Sequence, residues 1–414
     1  MNKYFINLDV PLLFLRMVIA LDMYASAGVG AVALLLGMFF TRKVAYLKRF
    51  CIPAPVSGGL LISLLTLLLY VLFGIECKFD GTVKDLCMMA FFTSVGFHCN
   101  MKELRMGGRP LVVLTALVAV LIVAQNFISL GIAKGLGVDQ LVGMAAGSIP
   151  MSGGHGTSGG FSPLLEQMGL ESAQSVTMAC ATFGLVAGSL LGGPLGEALI
   201  RRHKLCEPSS ADEVTRASKP ETVSHTASVE YLKAACILII AMALGSGVSK
   251  LLALTGVTFP TYFGALLAAC ILRNVFGLFP KWTSKLNVRE VVTIGDVCLQ
   301  LFLGMAMASL RLWELASLAL PLTLILLAQV TFMALFAAFV AFPLLGRSYD
   351  SAVMVSGLCG FGLGATPNAM ANMSAVCYKY RYALKPFIVV PIIGAMFLDI
   401  INTGVVTLFL HFIH

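Results

Sequence analysis

Three short stretches hold most of the side chains that could do chemistry. Residues 147–161 read GSIPMSGGHGTSGGF, residues 357–370 read GLCGFGLGATPNAM, and residues 394–404 read GAMFLDIINTG. In the first, Ser152 and His155 are a hydroxyl and an imidazole three residues apart, the beginnings of a nucleophile and its base. Such a pair needs a third group to orient the base, and no carboxylate stands near. The glycines point elsewhere. Glycine lets backbone approach a ligand closely, and a helix restarting after a glycine turn offers unpaired N–H groups and a positive dipole end, which suit a carboxylate. Carbonyls freed by the same break suit a hard cation such as sodium. The residues at these breaks are Ser152, Gly153, Gly154, His155, Gly156 and Thr157, and then Gly360, Gly362, Gly364, Thr366, Pro367 and Asn368.

Ionisable groups inside apolar runs are few: His98, Glu197, Arg273, Asp296 and Asp399. Charge is costly in hydrocarbon, so each is a functional candidate. Asp399 with Asn402 lies in mid-run, where no helix cap is needed, and leads as a sodium site; Asp296 and Asn126, beside Gln125, follow. Plainer roles stand next to these. Asp85 and Asp296 suit helix-start caps, Arg273 can snorkel, and Asn126 and the glycines also suit helix packing.

The elements that must carry these residues follow from composition. Of 414 residues, 58% are hydrophobic and 12% charged, with a mean hydropathy of +0.92. That is an all-α polytopic membrane protein. The net charge of +8 comes from Lys and Arg in short clusters between apolar runs, which mark membrane sidedness and not a nucleic-acid surface. Eleven cysteines are scattered without C-x-x-C spacing, so neither a disulfide framework nor a structural zinc is expected.

Ten apolar runs are long enough to span: 23–40, 54–74, 86–100, 110–134, 171–200, 230–254, 260–279, 291–310, 317–345 and 386–412. Segments 140–168 and 350–377 are apolar but too rich in Gly, Ser, Thr and Pro to cross as one helix. The basic clusters, among them Arg42, Lys48, Lys102, Arg201, Lys281, Arg347 and Lys379, fall on the cytoplasmic side only if both segments are re-entrant. Both termini then lie outside.

A polar linker at 201–229 separates a first half, 23–200, from a second, 230–414. At an offset of 211, DLCMMAFF from Asp85 lies over DVCLQLFL from Asp296; at 210, Gly147 lies over Gly357. Five spans per half make the second half inverted. Paired broken segments in inverted halves mark a transport site. Residues 1–22 read as an N-terminal extension; Lys3 and ASA at 25–27 imitate a signal peptide, but Asp9, Arg16 and Asp22 interrupt it, so no cleavage is expected.

Taken together, GSIPMSGGHGT, MACATFGLVAG, LWELASLALP, GLCGFGLGATPNAMANM and PIIGAMFLDIIN resemble the bacterial sodium/glutamate symporters from about residue 21 to the end. The resemblance implies a transporter and not an enzyme, with L-glutamate as substrate, Na+ as coupling ion and no cofactor. It also implies two inverted five-helix domains with re-entrant loops, a multi-pass place in the lipid of the bacterial inner membrane, a homodimer and an elevator-like displacement. Kinship with citrate and 2-hydroxycarboxylate symporters is implied too, whose loops carry GGxG. Gly153 to Gly156 fit that pattern, whereas the second loop reads GFGLG and departs from it around Gly362 and Gly364. Residues 1–16 have no counterpart in the family, which leaves Met17 as an alternative start. A citrate-like dicarboxylate symporter is the alternative within the class, and a passive channel the alternative outside it.

Overall fold

The computed structural model describes residues 17–44, 47, 52–99, 108–205, 228–254, 259–278 and 287–413. Expectations for residues 1–16, for linker residues 206–227 and for Lys48, Lys102 and Lys281 lie outside the described residues.

Nearly all the described chain is helical, as it must be where only intrachain hydrogen bonds satisfy the backbone. Among the described residues the strands are a short parallel pair, β1 (Met17–Ala20) with β2 (Ile75–Lys78), in register from Met17 opposite Ile75 to Ala20 opposite Lys78. Within the segment read as an N-terminal extension, Met17–Ala20 is paired, and Asp22 caps the first helix by accepting from the Ala25 N–H at 2.7 Å.

The helices in order are α1 (Met23–Lys43), α2 (Ala54–Phe73), α3 (Thr82–Phe97) and α4 (Gly108–Gly135), then three short pieces, α5 (Gln140–Ala145), α6 (Ser148–Met151) and α7 (Gly154–Gln167). Next come α8 (Ala173–Arg202), α9 (Ser228–Ala253), α10 (Thr261–Leu278), α11 (Val288–Ala308) and α12 (Leu312–Leu344), which starts as a 3-10 helix and carries a π-turn at Ala337–Ala341. The chain ends with α13 (Tyr349–Gly362), α14 (Thr366–Lys379), α15 (Leu384–Ile392) and α16 (Leu398–Ile413). Among the described residues, eight helices are long and apolar enough to cross a membrane. Of the ten runs read as spans, the one at 86–100 is the 16-residue α3, and the one at 386–412 is divided by a π-turn at Ile393–Phe397. Pro391 and the wide turn after it explain the division, since proline withdraws an N–H from the helix ladder.

Packing sorts these elements into two bundles. Helices α1, α2, α3, α9, α10 and α11 contact chiefly one another, and α4 to α8 do so with α12 to α16. Each bundle therefore draws on both halves of the sequence. The second bundle holds both broken segments, and the main apolar core runs through it, from Leu114 and Leu121 on α4 to Phe361 on α13 and Val406 on α16. A smaller cluster of Ala90, Phe97, Ala234, Leu238 and Val291 holds part of the first bundle together.

Where the bundles touch, α7 presents glycines to aromatic rings. A Cβ added to Gly160 would fall 2.2 Å from the Tyr262 ring, and one on Gly159 2.1 Å from Phe302. Tyr262 stacks on Phe92 with centroids 3.7 Å apart. Its hydroxyl meets the Thr403 hydroxyl at 3.2 Å, joining α10 to α16.

Candidate functional site

The first break lies between α5 and α7 and the second between α13 and α14, and the two meet. A Cβ on Gly154 would come within 2.6 Å of the Gly364 carbonyl oxygen. Gly154 also has φ +59, a left-handed conformation that glycine adopts without a Cβ penalty. The segment before it turns at Ala146 and Gly147, takes one turn as α6, and restarts at Gly154, so α7 begins where α13 ends.

Polar side chains from α4 and α16 hold the first break. The Ser148 N–H donates to Asn126 Oδ1 at 2.9 Å, and the Ser148 hydroxyl donates to Asn402 Oδ1 at 2.7 Å. Asn402 Nδ2 donates back to the Ser148 carbonyl at 3.1 Å, which fixes the orientation of its amide. Thr157, in the first turn of α7, donates to Asp399 Oδ1 at 3.2 Å. Asp399 is half-buried and follows directly on the π-turn at Ile393–Phe397.

Gln125 connects the two breaks. Its Oε1 accepts from the Ser152 hydroxyl at 2.6 Å, and its Nε2 donates to the Gly362 carbonyl at 2.8 Å. Gln329 on α12 donates in turn to the Gln125 carbonyl at 2.8 Å. On the far side, Asn368 Nδ2 donates to the Leu185 carbonyl at 2.7 Å, and Asn372 Nδ2 to that of Gly188 at 2.9 Å, tying α14 to α8. Thr366 packs against Gly394, where an added Cβ would lie 2.5 Å from its hydroxyl oxygen.

Three fully buried polar atoms here have no hydrogen-bond partner: Asn126 Nδ2, Asn368 Oδ1 and Gln329 Oε1. The bonds made by the other end of each amide set which atom is left over. The set is one donor and two acceptors, each costly to leave unmade in a dry interior. With the starts of α7 and α14 supplying N–H groups and positive dipole ends, the junction has the chemistry to hold an anion. The Asp399 carboxylate and the amide oxygens have the chemistry to hold a hard cation.

The structure thus brings together Ser152, Gly153, Gly154, Thr157, Gly362, Gly364, Thr366, Asn368, Asn126, Asp399 and Asn402. Gly153 belongs because a Cβ there would lie 2.6 Å from Asn402 Nδ2. His155 faces another way: its Nε2 lies 3.0 Å from the Thr182 hydroxyl, which spends its own proton on the Met178 carbonyl at 2.9 Å. The ring nitrogen is therefore the donor. Gly156 faces Phe91 at the bundle boundary, with the ring 3.1 Å from an added Cβ. Asp296 stands apart: it is exposed in the middle of α11, within electrostatic reach of His98. Its reading as a helix cap is corrected by position, since α11 begins at Val288. Gly360 and Gly362 lie in the last turn of α13 and the turn proper is Leu363–Ala365, because the glycines are accommodated in helical geometry.

Four partners escaped sequence reasoning: Gln125 as the connector, Gln329, Ser148 and Asn372. The signal that marks Gln125 and Gln329 is an uncharged amide within a strongly apolar span, which also describes an ordinary interhelical contact.

The family model described as sodium/glutamate symporter matches residues 19–382. Proteins called sodium/glutamate symporter from Escherichia coli (strain K12) and Haemophilus influenzae are 42% identical over 393 residues and 36% identical over 386. Those matches cover 94% and 92% of this chain, and 98% and 95% of theirs. Among solved structures, a sodium proton antiporter from Methanocaldococcus jannaschii aligns over 95% of this chain and 98% of its own with a TM-score of 0.44 and 14% identity, too distant a likeness to carry an argument. A match that runs through both breaks and both bundles, at such identity over nearly the full length, makes this chain a member of the sodium/glutamate symporter family.

Proposed function

We propose that this protein is a secondary transporter that takes up L-glutamate together with Na+ across the bacterial inner membrane. Family membership supports the reaction. The observation that carries the assignment of the site is the meeting of the two helix breaks at Gly154 and Gly364, with Asp399 bonded to Thr157 beside it. Glutamate carboxylates would be received by N–H groups at the starts of α7 and α14, with the unpaired Asn126 amide as a further donor. Sodium would be held by Asp399, Asn402 and carbonyls of the first break. Asp296, far along α11, has no part in this reading.

The finer architecture belongs to the same proposal. Ten spans form two inverted five-helix repeats, with 140–168 and 350–377 as re-entrant hairpins approaching from opposite faces. The bundle that carries both hairpins moves past the bundle of α1, α2, α3, α9, α10 and α11 in an elevator-like displacement, within a homodimer. The glycine-lined face of α7 against Tyr262 and Phe302 supports such movement, since a surface without side chains offers few knobs to disengage.

The test is uptake of labelled glutamate into proteoliposomes. Under an inward sodium gradient glutamate accumulates uphill, its affinity rises with sodium because coupled ligands must strengthen each other, and citrate does not compete. Equilibration without accumulation would return the channel reading; competition by citrate would return the dicarboxylate reading.

A further inference from the structure

A cleft of about 570 Å³ opens between the C-terminal parts of α8 and α14, beyond the contacts that Leu185 and Gly188 in mid-α8 make with α14. Its walls combine small residues, among them Gly193, Ala198 and Ala375, with a charged cluster of Glu197, Arg201 and Lys379. Pro194 in its wall has no N–H to give the helix ladder, which loosens α8 there.

The charges do not balance. Lys379 Nζ lies 2.6 Å and Arg201 Nη2 2.9 Å from the same oxygen of Glu197, Oε1, so two cations share one carboxylate. Lysine has three donors and arginine five, which leaves several for another acceptor. Both side chains stay accessible, at 43% and 67% exposure. Basic residues at two helix ends would by themselves be ordinary compensation of helix dipoles. That account does not explain the cleft, whose remaining wall is formed by Val376 and the buried ring of Tyr380.

We propose that this cleft is a binding site for an anionic phospholipid, with the phosphate between Arg201 and Lys379 and the first acyl carbons along Gly193, Ala198 and Ala375. The small-residue floor admits a chain, and the cationic mouth lies on the side where basic loops gather. The site bears on transport through α14, whose Asn368 and Asn372 hold the second break against α8. A lipid seated between these helices braces that contact. The proposal depends on α8 spanning the membrane and not on which substrate is carried.

Native mass spectrometry of the full-length protein tests it without a transport readout. Offered phosphatidylglycerol and phosphatidylcholine of identical chains, the wild type should retain phosphatidylglycerol preferentially. Arg201→Gln with Lys379→Gln should lower that retention about tenfold, as expected when charge-assisted bonds are lost. Lys250→Gln, which changes a basic residue at the end of α9, should not lower it. Equal retention by wild type and double variant would overturn the proposal, as would displacement of the lipid by millimolar inorganic phosphate, which would make this a site for a free phosphate anion. Should the double variant fail to fold, unchanged retention in Arg201→Gln alone would overturn it as well.

Discussion

Gly154 and Gly364 meet so closely that a single methyl group on the first would lie 2.6 Å from the carbonyl oxygen of the second. The residues come from different halves of the chain, 210 positions apart, the offset at which Gly147 overlies Gly357. Their contact joins the two helix breaks into one site. Gly154→Ala should abolish uptake while the protein still reaches the membrane, because the methyl separates the breaks and the left-handed backbone adds about 1–2 kcal/mol of strain. Gly131→Ala, in open space on α4, is the matched control and should leave uptake unchanged. Normal uptake in Gly154→Ala would remove the junction from the mechanism.

Asp399 is bonded to Thr157 at 3.2 Å and sits one turn from Asn402. Asp399→Asn keeps the shape and removes the charge. Its expected effect is a loss of sodium dependence of about tenfold or more in glutamate affinity, within the usual range of coupling between two ligands. The measurement is half-saturating glutamate across a sodium series, normalised to protein in the membrane. Unchanged sodium activation would make Asp399 structural.

Thr157 and Asn368 flank the junction from opposite breaks. With the native cysteines replaced, Thr157→Cys and Asn368→Cys should each react with a small permeant thiol reagent, since polar groups at membrane depth need a wet cavity. Glutamate with sodium should slow both reactions, and sorbitol with sodium neither. Protection at one position alone would leave a site built on a single break.

Gln174 on α8 ties the moving bundle of the elevator reading to the other. Its Oε1 accepts from Lys84 Nζ at 3.1 Å, and its Nε2 donates to the Ala306 carbonyl and the Ser309 hydroxyl, both at 2.9 Å. In a cysteine-free background, Lys84→Cys with Gln174→Cys should be bridged by a bifunctional methanethiosulfonate reagent long enough to replace the two side chains, and the bridge should stop transport until it is reduced. Full transport in the crosslinked protein would sink the displacement of one bundle past the other. Tyr262→Phe, which removes the link to Thr403, should shift the balance of conformations by about 1 kcal/mol, the usual worth of one hydrogen bond. Accessibility of a reporter cysteine from each side of the membrane would read that shift.

What the sequence determined by itself is local in origin. The apolar runs follow from the hydrocarbon thickness, and the breaks follow from clustered Gly, Ser, Thr and Pro, so residues 147–161 and 357–370 stand out without any knowledge of the fold. The resemblance to the family rests partly on the same stretches. Tertiary structure decided which polar groups share a place. Asp296 and Asp399 look alike in sequence, each an acid in an apolar helix, yet packing puts one beside Thr157 and leaves the other exposed on α11. Gln125 and Gln329 are uncharged amides in apolar spans, and only the path of α4 between the two breaks makes Gln125 their connector. Residues 17–20 pair with a strand more than fifty residues on, a partner that their own stretch of sequence does not specify. Hydropathy and backbone breaks depend on neighbours along the chain, whereas these relationships depend on contacts between helices that are remote in sequence, which local pattern does not encode.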